Sequence, residues 1–322
     1  MQKIRVGVLR GGISSEYDVS LNTGQSVLFH LDQDKYAPKD ILITKDGTWH
    51  LNGFPITLAK LAREVDVIFN ALHGAYGEDG KVQQELERFN IPYTGSRIMP
   101  SAIAMNKGMS KQCFESVGLK TPKGVILKPG DNIEQILLPF FREVSGMHVV
   151  KPLNGGSSLG IVLSKSFGET LEAVKNILDE GNAVIVEEFI KGREITCGVI
   201  EGFEGQTVYP LFPIEILSEP TEEIWGYDAK YNGKTTEVCP ANLEEDRMQE
   251  IQRMAVAAHN SIGLRHYSRS DFIVSPRGIY ILEINNLPGL TEHSLVPKAL
   301  KAAGMEFPEF LDYLLSLAIH KR

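Results

Sequence analysis

Apolar residues along the first hundred positions come in short runs closed by glycine. Ile4 to Leu9 ends in Arg10-Gly11-Gly12, and Val65 to Leu72 leads into His73-Gly74-Ala75-Tyr76-Gly77-Glu78-Asp79-Gly80. Runs of that length bounded by turn residues predict buried strands. Helix-compatible stretches follow each, at about Glu16 to Leu31 and Lys81 to Phe89. Strand, glycine loop and helix in alternation predict a parallel α/β domain. Ligands in such sheets gather beyond the carboxyl ends of the strands, where both glycine loops fall.

After Pro100 the pattern changes to a helix from Ala102 to Ser116, a strand from Lys123 to Leu127, a further helix, and strands from His148 to Lys151 and from Gly160 to Leu163. Between the last two lies Pro152-Leu153-Asn154-Gly155-Gly156-Ser157-Ser158, a hairpin loop able to lay N–H groups and hydroxyls against phosphate oxygens. Lys107 and Lys151 bring positive charge to it. Lysines mostly face solvent, but Lys151 sits in an apolar run, Met147-His148-Val149-Val150-Lys151, where a charge needs a partner such as a phosphate. A strand from Ala183 to Ile190 then turns acidic, and Lys191-Gly192 returns it through Arg193 to Ile200. That junction can read an adenine edge and Glu194 can take ribose hydroxyls; a paired acidic edge strand explains the same residues equally well.

The chemistry concentrates in a second hairpin. Tyr267 to Val274 and Tyr280 to Asn285 read as strands joined by Ser275-Pro276-Arg277-Gly278. Alternation puts Glu283 and Asn285 on one face, so the hairpin carries Arg269, Asp271, Glu283 and Asn285 together. Two carboxylates and an amide form a hard oxygen cage suited to Mg²⁺, which keeps company with phosphates. An edge hairpin with its charges in water is the competing reading. Asn286-Leu287-Pro288-Gly289 breaks the strand, and the Gly289 N–H, unobstructed by a side chain, can join Arg269 in holding an oxyanion.

Composition narrows the classes. At 322 residues the chain exceeds the size of a single core, so two or three domains are expected. A formal net charge of −8 without a basic run argues against nucleic acid. Three widely spaced cysteines read as reduced packing residues, and the absence of any signal or membrane-length apolar run gives a cytoplasmic expectation. Arg10-Gly11-Gly12-Ile13-Ser14-Ser15 lacks the G-x-G-x-x-G spacing of a dinucleotide turn, and Glu16 suits a substrate ammonium better than a pyrophosphate.

Six ordered motifs resemble the D-alanine:D-alanine ligases of the ATP-grasp superfamily over almost the entire chain. They are Gly11 to Glu16, Leu72 to Gly80, Pro92-Tyr93-Thr94-Gly95-Ser96, Lys151-Pro152 through Gly160, Asp228-Ala229-Lys230-Tyr231, and Glu283 through Pro297. The resemblance implies an α/β (α+β) fold: an N-terminal parallel α/β substrate domain over 1–98, then a two-lobed ATP-grasp fold with a central lobe over 99–185 and a C-terminal lobe over 186–322. It implies that ATP phosphorylates one D-alanine and that the amine of a second attacks the acylphosphate, with two Mg²⁺ ions, for which Mn²⁺ may substitute, on Asp271, Glu283 and Asn285.

By the same resemblance, Glu16, His73, Ser294 and Leu295 hold substrate, while Arg269 and the Gly289 N–H stabilise the tetrahedral intermediate. Lys107, Lys151, Ser157, Ser158 and Lys230 grip phosphates, and Glu187, Ile190 and Glu194 the adenosine. Glu16, Ser157 and Tyr231 match a hydrogen-bonded trio under a lid at about Glu219 to Thr236, and Tyr231 favours the dipeptide over D-alanyl-D-lactate. A homodimer and a role in peptidoglycan synthesis are implied; a D-alanine:D-lactate or D-alanine:D-serine ligase is the alternative. Asn106 stands where the family usually has Asp, with an altered helix cap as the expected effect, and Glu188 where some members carry lysine.

Overall fold

In the computed structural model, residues 3–156, 160–217, 236–292 and 294–320 are described. The first unit is a five-stranded sheet ordered β4-β3-β2-β1-β5, built from β1 (Ile4–Gly11), β2 (Tyr36–Ile43), β3 (Trp49–Leu51), β4 (Phe54–Pro55) and β5 (Val67–Asn70). β1 pairs in parallel with both β2 and β5, while β3 and β4 run antiparallel at one edge. The expected parallel domain therefore has an added hairpin, whose short strands the apolar-run pattern did not signal. α1 (Tyr17–His30) and α2 (Leu58–Glu64) make the crossovers, and α3 (Lys81–Arg88) follows the second glycine loop. Because β2 and β5 flank β1 on opposite sides, the switch point of the sheet lies at the carboxyl ends of β1 and β5.

β5 stops at Asn70 instead of continuing through Leu72. The Asn70 carboxamide oxygen accepts the Leu72 N–H at 3.2 Å, a local bond that turns the chain out of the ladder.

The expected helix over 102–116 is two, α4 (Ile98–Met105) and α5 (Lys107–Ser116). Asn106, extended at ψ 105°, breaks them, and its side chain accepts the Met109 N–H at 3.0 Å. The residue expected to alter a cap thus supplies one. A four-stranded antiparallel sheet follows, ordered β6-β9-β7-β8, from β6 (Gly124–Leu127), β7 (His148–Pro152), β8 (Val162–Ser164) and β9 (Val184–Glu188), covered by α6 (Ile133–Glu143) and α7 (Phe167–Asp179). Position 185 falls inside β9, whose pairing with β6 and β7 keeps it in this sheet through Glu188.

The remaining sheet is ordered β13-β12-β10-β14-β15, with β11 on β10: β10 (Arg193–Glu201), β11 (Val208–Pro210), β12 (Ile214–Leu217), β13 (Thr236–Val238), β14 (Tyr267–Ser275) and β15 (Gly278–Asn285). α8 (Glu245–Ile262) packs on it, and α9 (Leu295–Ala302) and α10 (Phe307–His320) close the chain. α10 folds back on α1 and β5, so Phe310, Leu311, Leu314 and Leu315 share one core with Val6, Val8, Val27 and Phe69. Among the described residues no helix is long and apolar enough to cross a membrane. Leu314 is fully buried in that shared core, so Leu314→Ala is expected to cost about 2–5 kcal/mol of unfolding free energy, read from urea denaturation against wild type.

Candidate active site

The two glycine loops of the first sheet meet as the topology requires. The Ser14 hydroxyl donates to the His73 carbonyl at 2.6 Å and accepts the Glu16 N–H at 3.1 Å. Gly74 has φ +70°, and a β-carbon there would lie 2.6 Å from Glu16 Oε2, so the bare backbone is what lets the carboxylate in. The same carboxylate lies near Gly156 on the β7–β8 loop, 3.5 Å from where a β-carbon would stand. Glu16 therefore bridges the first domain and the hairpin loop. His73 is buried between the Thr23 hydroxyl, 2.8 Å from Nε2, and the Glu78 carboxylate, 3.5 Å from Nδ1, with Glu78 also accepting the Gly74 N–H at 2.8 Å.

β7 and β8 do form a hairpin, and its loop is sewn to the start of α5. The Lys107 N–H donates to the Leu153 carbonyl at 3.0 Å, Lys107 Nζ to the Gly155 carbonyl at 2.6 Å, and Asn106 Nδ2 to Asn154 Oδ1 at 2.8 Å. A helix N-terminus with its partial positive charge is thereby set beside the glycine loop, an arrangement that favours phosphate. Lys107, Lys151, Asn154, Gly155, Ile161 and Glu283 line a cleft at this point. Lys107 Nζ is 3.8 Å from Glu283 Oε2, so the hairpin loop and the acidic hairpin face each other across it.

On the acidic hairpin, Asp271 pairs with Glu283 and Arg269 with Asn285 across the β14–β15 ladder. An extra residue in β15, Leu282, makes a bulge opposite the Asp271–Phe272 step. It shifts the alternation so that Tyr280 and Leu282 join Glu283 and Asn285 on one face, while Ile279, Ile281 and Ile284 enter the core on the other. The Asp271 carboxylate accepts a fork from Arg269 at 2.9 and 2.9 Å, the Thr196 hydroxyl at 2.6 Å and Asn285 Nδ2 at 3.1 Å. Side chains of Arg269 and Asp271 are only 13% and 14% exposed, which sets aside the reading of a hairpin with its charges in water.

The donor set fits a hard cation: carboxylate oxygens of Asp271 and Glu283 on neighbouring strands, with the Asn285 amide oxygen beside them. No group of three or more His, Cys, Asp or Glu side chains among the described residues could hold a metal ion. An ion here must complete its shell with phosphate oxygens and water, as Mg²⁺ commonly does.

Beyond the bulge, Ile190, Ile273 and Tyr280 are buried together with Leu282 against them, an apolar platform bordered by Lys120, whose Nζ is 4.4 Å from the Tyr280 ring centre. Ile190 therefore sits where a flat base could pack. Glu194, on β10 two residues from Thr196, shares the Asp271 face. Glu187 has a lysine on each carboxylate oxygen. Lys111 and Lys151 each take one of its oxygens, Lys151 Nζ at 2.6 Å, and the Lys111 ammonium also donates to the Pro122 carbonyl. Burial drives the Glu187 carboxyl upward, but the two ammonium groups outweigh it and hold the group below its usual range. Burial likewise draws Lys151 down, and Glu187 with Glu283 reverses this to hold it above its ordinary value. Lys111, Thr196 and the apolar platform were not picked out from the sequence; only the spacing of Lys111, one helical turn after Lys107, hinted at a shared face.

Gly289 is packed against Ser294, whose Oγ would lie 3.1 Å from a β-carbon there and accepts the Thr291 N–H at 3.0 Å. The Leu295 side chain is taken up by the core shared with the first domain. Asn286 Nδ2 donates to the Glu78 carbonyl at 3.1 Å, tying the end of β15 to the second glycine loop. Ser157, Ser158, Lys230 and Tyr231, with nearly all of the expected lid, lie outside the described residues.

Known proteins match this chain from end to end. Residues 5–55 and 51–96 match the family model described as D-ala D-ala ligase N-terminus, and residues 114–316 that described as D-ala D-ala ligase C-terminus. A D-alanine–D-alanine ligase B of Clostridium perfringens is 35% identical over 325 residues, covering 99% of both chains. The VanG D-Ala:D-Ser ligase of Enterococcus faecalis superposes with a TM-score of 0.87 at 29% identity, over 98% of this chain and 100% of that one. The Bacillus anthracis D-alanine–D-alanine ligase complexed with ATP gives 0.83 at 29% identity, over 99% and 98%.

The contact between Gly74 and Glu16 yields a measurable expectation. Gly74→Ala should lower stability by about 1–3 kcal/mol through its left-handed φ and the approach to Glu16. Glu16→Ala should recover part of that cost, and strictly additive losses in a denaturation cycle would contradict the contact.

Proposed function

The chain belongs to the D-alanine–D-alanine ligase family, and from that premise we propose how its residues divide the work of the reaction. It is an ATP-dependent ligase that joins two D-alanines into D-alanyl-D-alanine for peptidoglycan, releasing ADP and phosphate. The observation that carries the residue assignment is the cleft where Lys107 and Lys151, at the glycine loop and the start of α5, face Glu283 of the acidic hairpin.

In this reading Glu16 receives the ammonium of the first D-alanine, with His73 beside it and Ser294 across the site. The substrate carboxylate attacks the γ-phosphorus, the bond to the bridging oxygen breaks, and ADP departs. Lys107, Lys151, Ser157, Ser158 and Lys230 hold the phosphates, and Glu187, Ile190 and Glu194 the adenosine. Glu187 also fixes Lys151. Asp271, Glu283 and Asn285 would hold two Mg²⁺ ions, for which Mn²⁺ can substitute. Bound there, they would supply positive charge against the phosphoryl group in transit.

The amine of the second D-alanine then attacks the acyl carbon, and Arg269 with the Gly289 N–H receives the negative charge on the carbonyl oxygen before phosphate leaves. Arg269 is pre-aimed for this by its fork to Asp271. Tyr231 and Ser157 would fasten the lid to Glu16. Leu295 would contribute its backbone only, since its side chain is in the core.

We take the three units to meet near 97 and in the turn at 189–192, following strand membership. A homodimer through the first domain is supported by Phe29 and Phe54, 77% and 76% exposed on it, and a cytoplasmic location by the absence of a membrane-crossing helix among the described residues.

Phosphate release with D-alanine and MgATP, with the product identified, tests the assignment. The likeness to a D-Ala:D-Ser ligase makes D-serine the informative second substrate, and D-lactate the other; the expected dominant product is D-alanyl-D-alanine. Glu283→Gln is expected to lower kcat by roughly 10²–10³-fold or more, and chelation of divalent ions to stop turnover. Near-normal rates in either case would sink the metal assignment.

A further inference from the structure

We propose that Lys111 is a positioning residue that sets the charge of the phosphate cleft: by taking one oxygen of Glu187, it leaves Lys151 as a net cation facing the nucleotide. The inference rests on the reading of Lys151 as a phosphate-binding side chain.

The triad has a definite geometric origin. Glu187 of β9 is paired directly with Val149 of β7, and Lys151 lies two residues further along β7, so the two side chains are diagonal neighbours on one face of the sheet. Lys111 reaches the carboxylate from α5, one turn after Lys107. The side chains of Lys111, Glu187 and Lys151 are 9%, 3% and 8% exposed, so solvent screens their charges little.

Charge bookkeeping follows from the pairing. A carboxylate facing one ammonium is a neutral pair, and its field falls off faster with distance than that of a lone charge. A carboxylate gripped by two ammonium groups carries one positive charge in excess. In the cleft, Glu283 acts on both Lys107, at 3.8 Å, and Lys151, so without Lys111 the two remaining lysines are balanced by Glu187 and Glu283, and the surplus that Lys111 secures is what remains to attract a polyphosphate. Lys111 is not among the residues that line the cleft, whereas Lys107 and Lys151 are. Its hold on the Pro122 carbonyl accompanies its grip on the Glu187 oxygen opposite the one that Lys151 takes.

Binding of MgATP and of adenosine, followed by calorimetry, and steady-state kinetics are compared for wild type, Lys111→Met, Lys111→Arg and Lys151→Met. Lys111→Met should weaken MgATP at least about tenfold, as expected for one unit charge lost at an effective dielectric near 20, and raise the KM for ATP far more than that for D-alanine. Adenosine, which carries no phosphate, should bind Lys111→Met within about threefold of wild type, and Lys111→Arg, which keeps the charge, should bind MgATP within about threefold of wild type. Equal losses for adenosine and MgATP would show that the lysine merely packs the core, and would overturn the proposal. Should Lys111→Met fail to fold, Lys111→Gln, which also removes the charge, is read by the same comparison. If Lys151→Met leaves MgATP binding unchanged, the phosphate reading itself falls; if it weakens MgATP while Lys111→Met weakens adenosine as much as MgATP, only the role of Lys111 falls.

Discussion

Inserting Leu282 opposite the Asp271–Phe272 step removes one regular pairing from β15 and reverses the sense in which its side chains alternate. Unbroken alternation from Tyr280 would send Glu283 into the core with Ile281 and leave Ile284 on the ligand side. With the bulge, the apolar half of the strand and its acidic half look the same way. Tyr280 and Leu282 supply a surface for a base while Glu283 and Asn285 supply oxygen ligands, a few residues apart on one strand. A nucleotide has the same sequence of properties along its length, apolar ring first and charged phosphates after. The site's polarity therefore depends on a single residue of register.

Around that strand, several ties between the parts are uncharged hydrogen bonds. Ser14 joins the two glycine loops, Asn286 joins the second loop to β15, and the Gly95 N–H donates to His266 Nδ1 at 3.0 Å, docking the end of the first domain on the turn before β14. Such bonds need close geometry and lose little to salt. Around the cleft, by contrast, the charged groups Lys107, Lys151, Arg269, Asp271 and Glu283 are gathered.

Much of this was legible in the amino acids because it is local. Glycine after an apolar run marks the end of a strand, and spacing of two residues put Glu283 and Asn285 on a common face. The family motifs, each contiguous, took in Glu16, His73, Lys151 and Glu283. What escaped notice is non-local or depends on one atom. The short strands β3 and β4 have too few residues to show a period, and the break at Asn106 rests on one side-chain oxygen accepting the Met109 N–H. The bulge at Leu282 exists only relative to β14, and the partnership of Lys111 with Glu187 spans 76 positions. Glu187, which the resemblance implies for the adenosine, also has each oxygen engaged by a lysine, a supporting role that no spacing conveys.

The return of α10 onto the first sheet has a consequence for the order in which the protein can mature. Synthesis runs from the N-terminus, and domains ordinarily fold as they emerge. Here Val6, Val8, Val27 and Phe69 share their core with Phe310, Leu311 and Leu314, residues that follow them far along the chain. That core is complete only once α10 has been made, after the two intervening sheets. Its closing is a late step, and a nascent chain interrupted before Phe307 lacks the apolar side that α10 supplies.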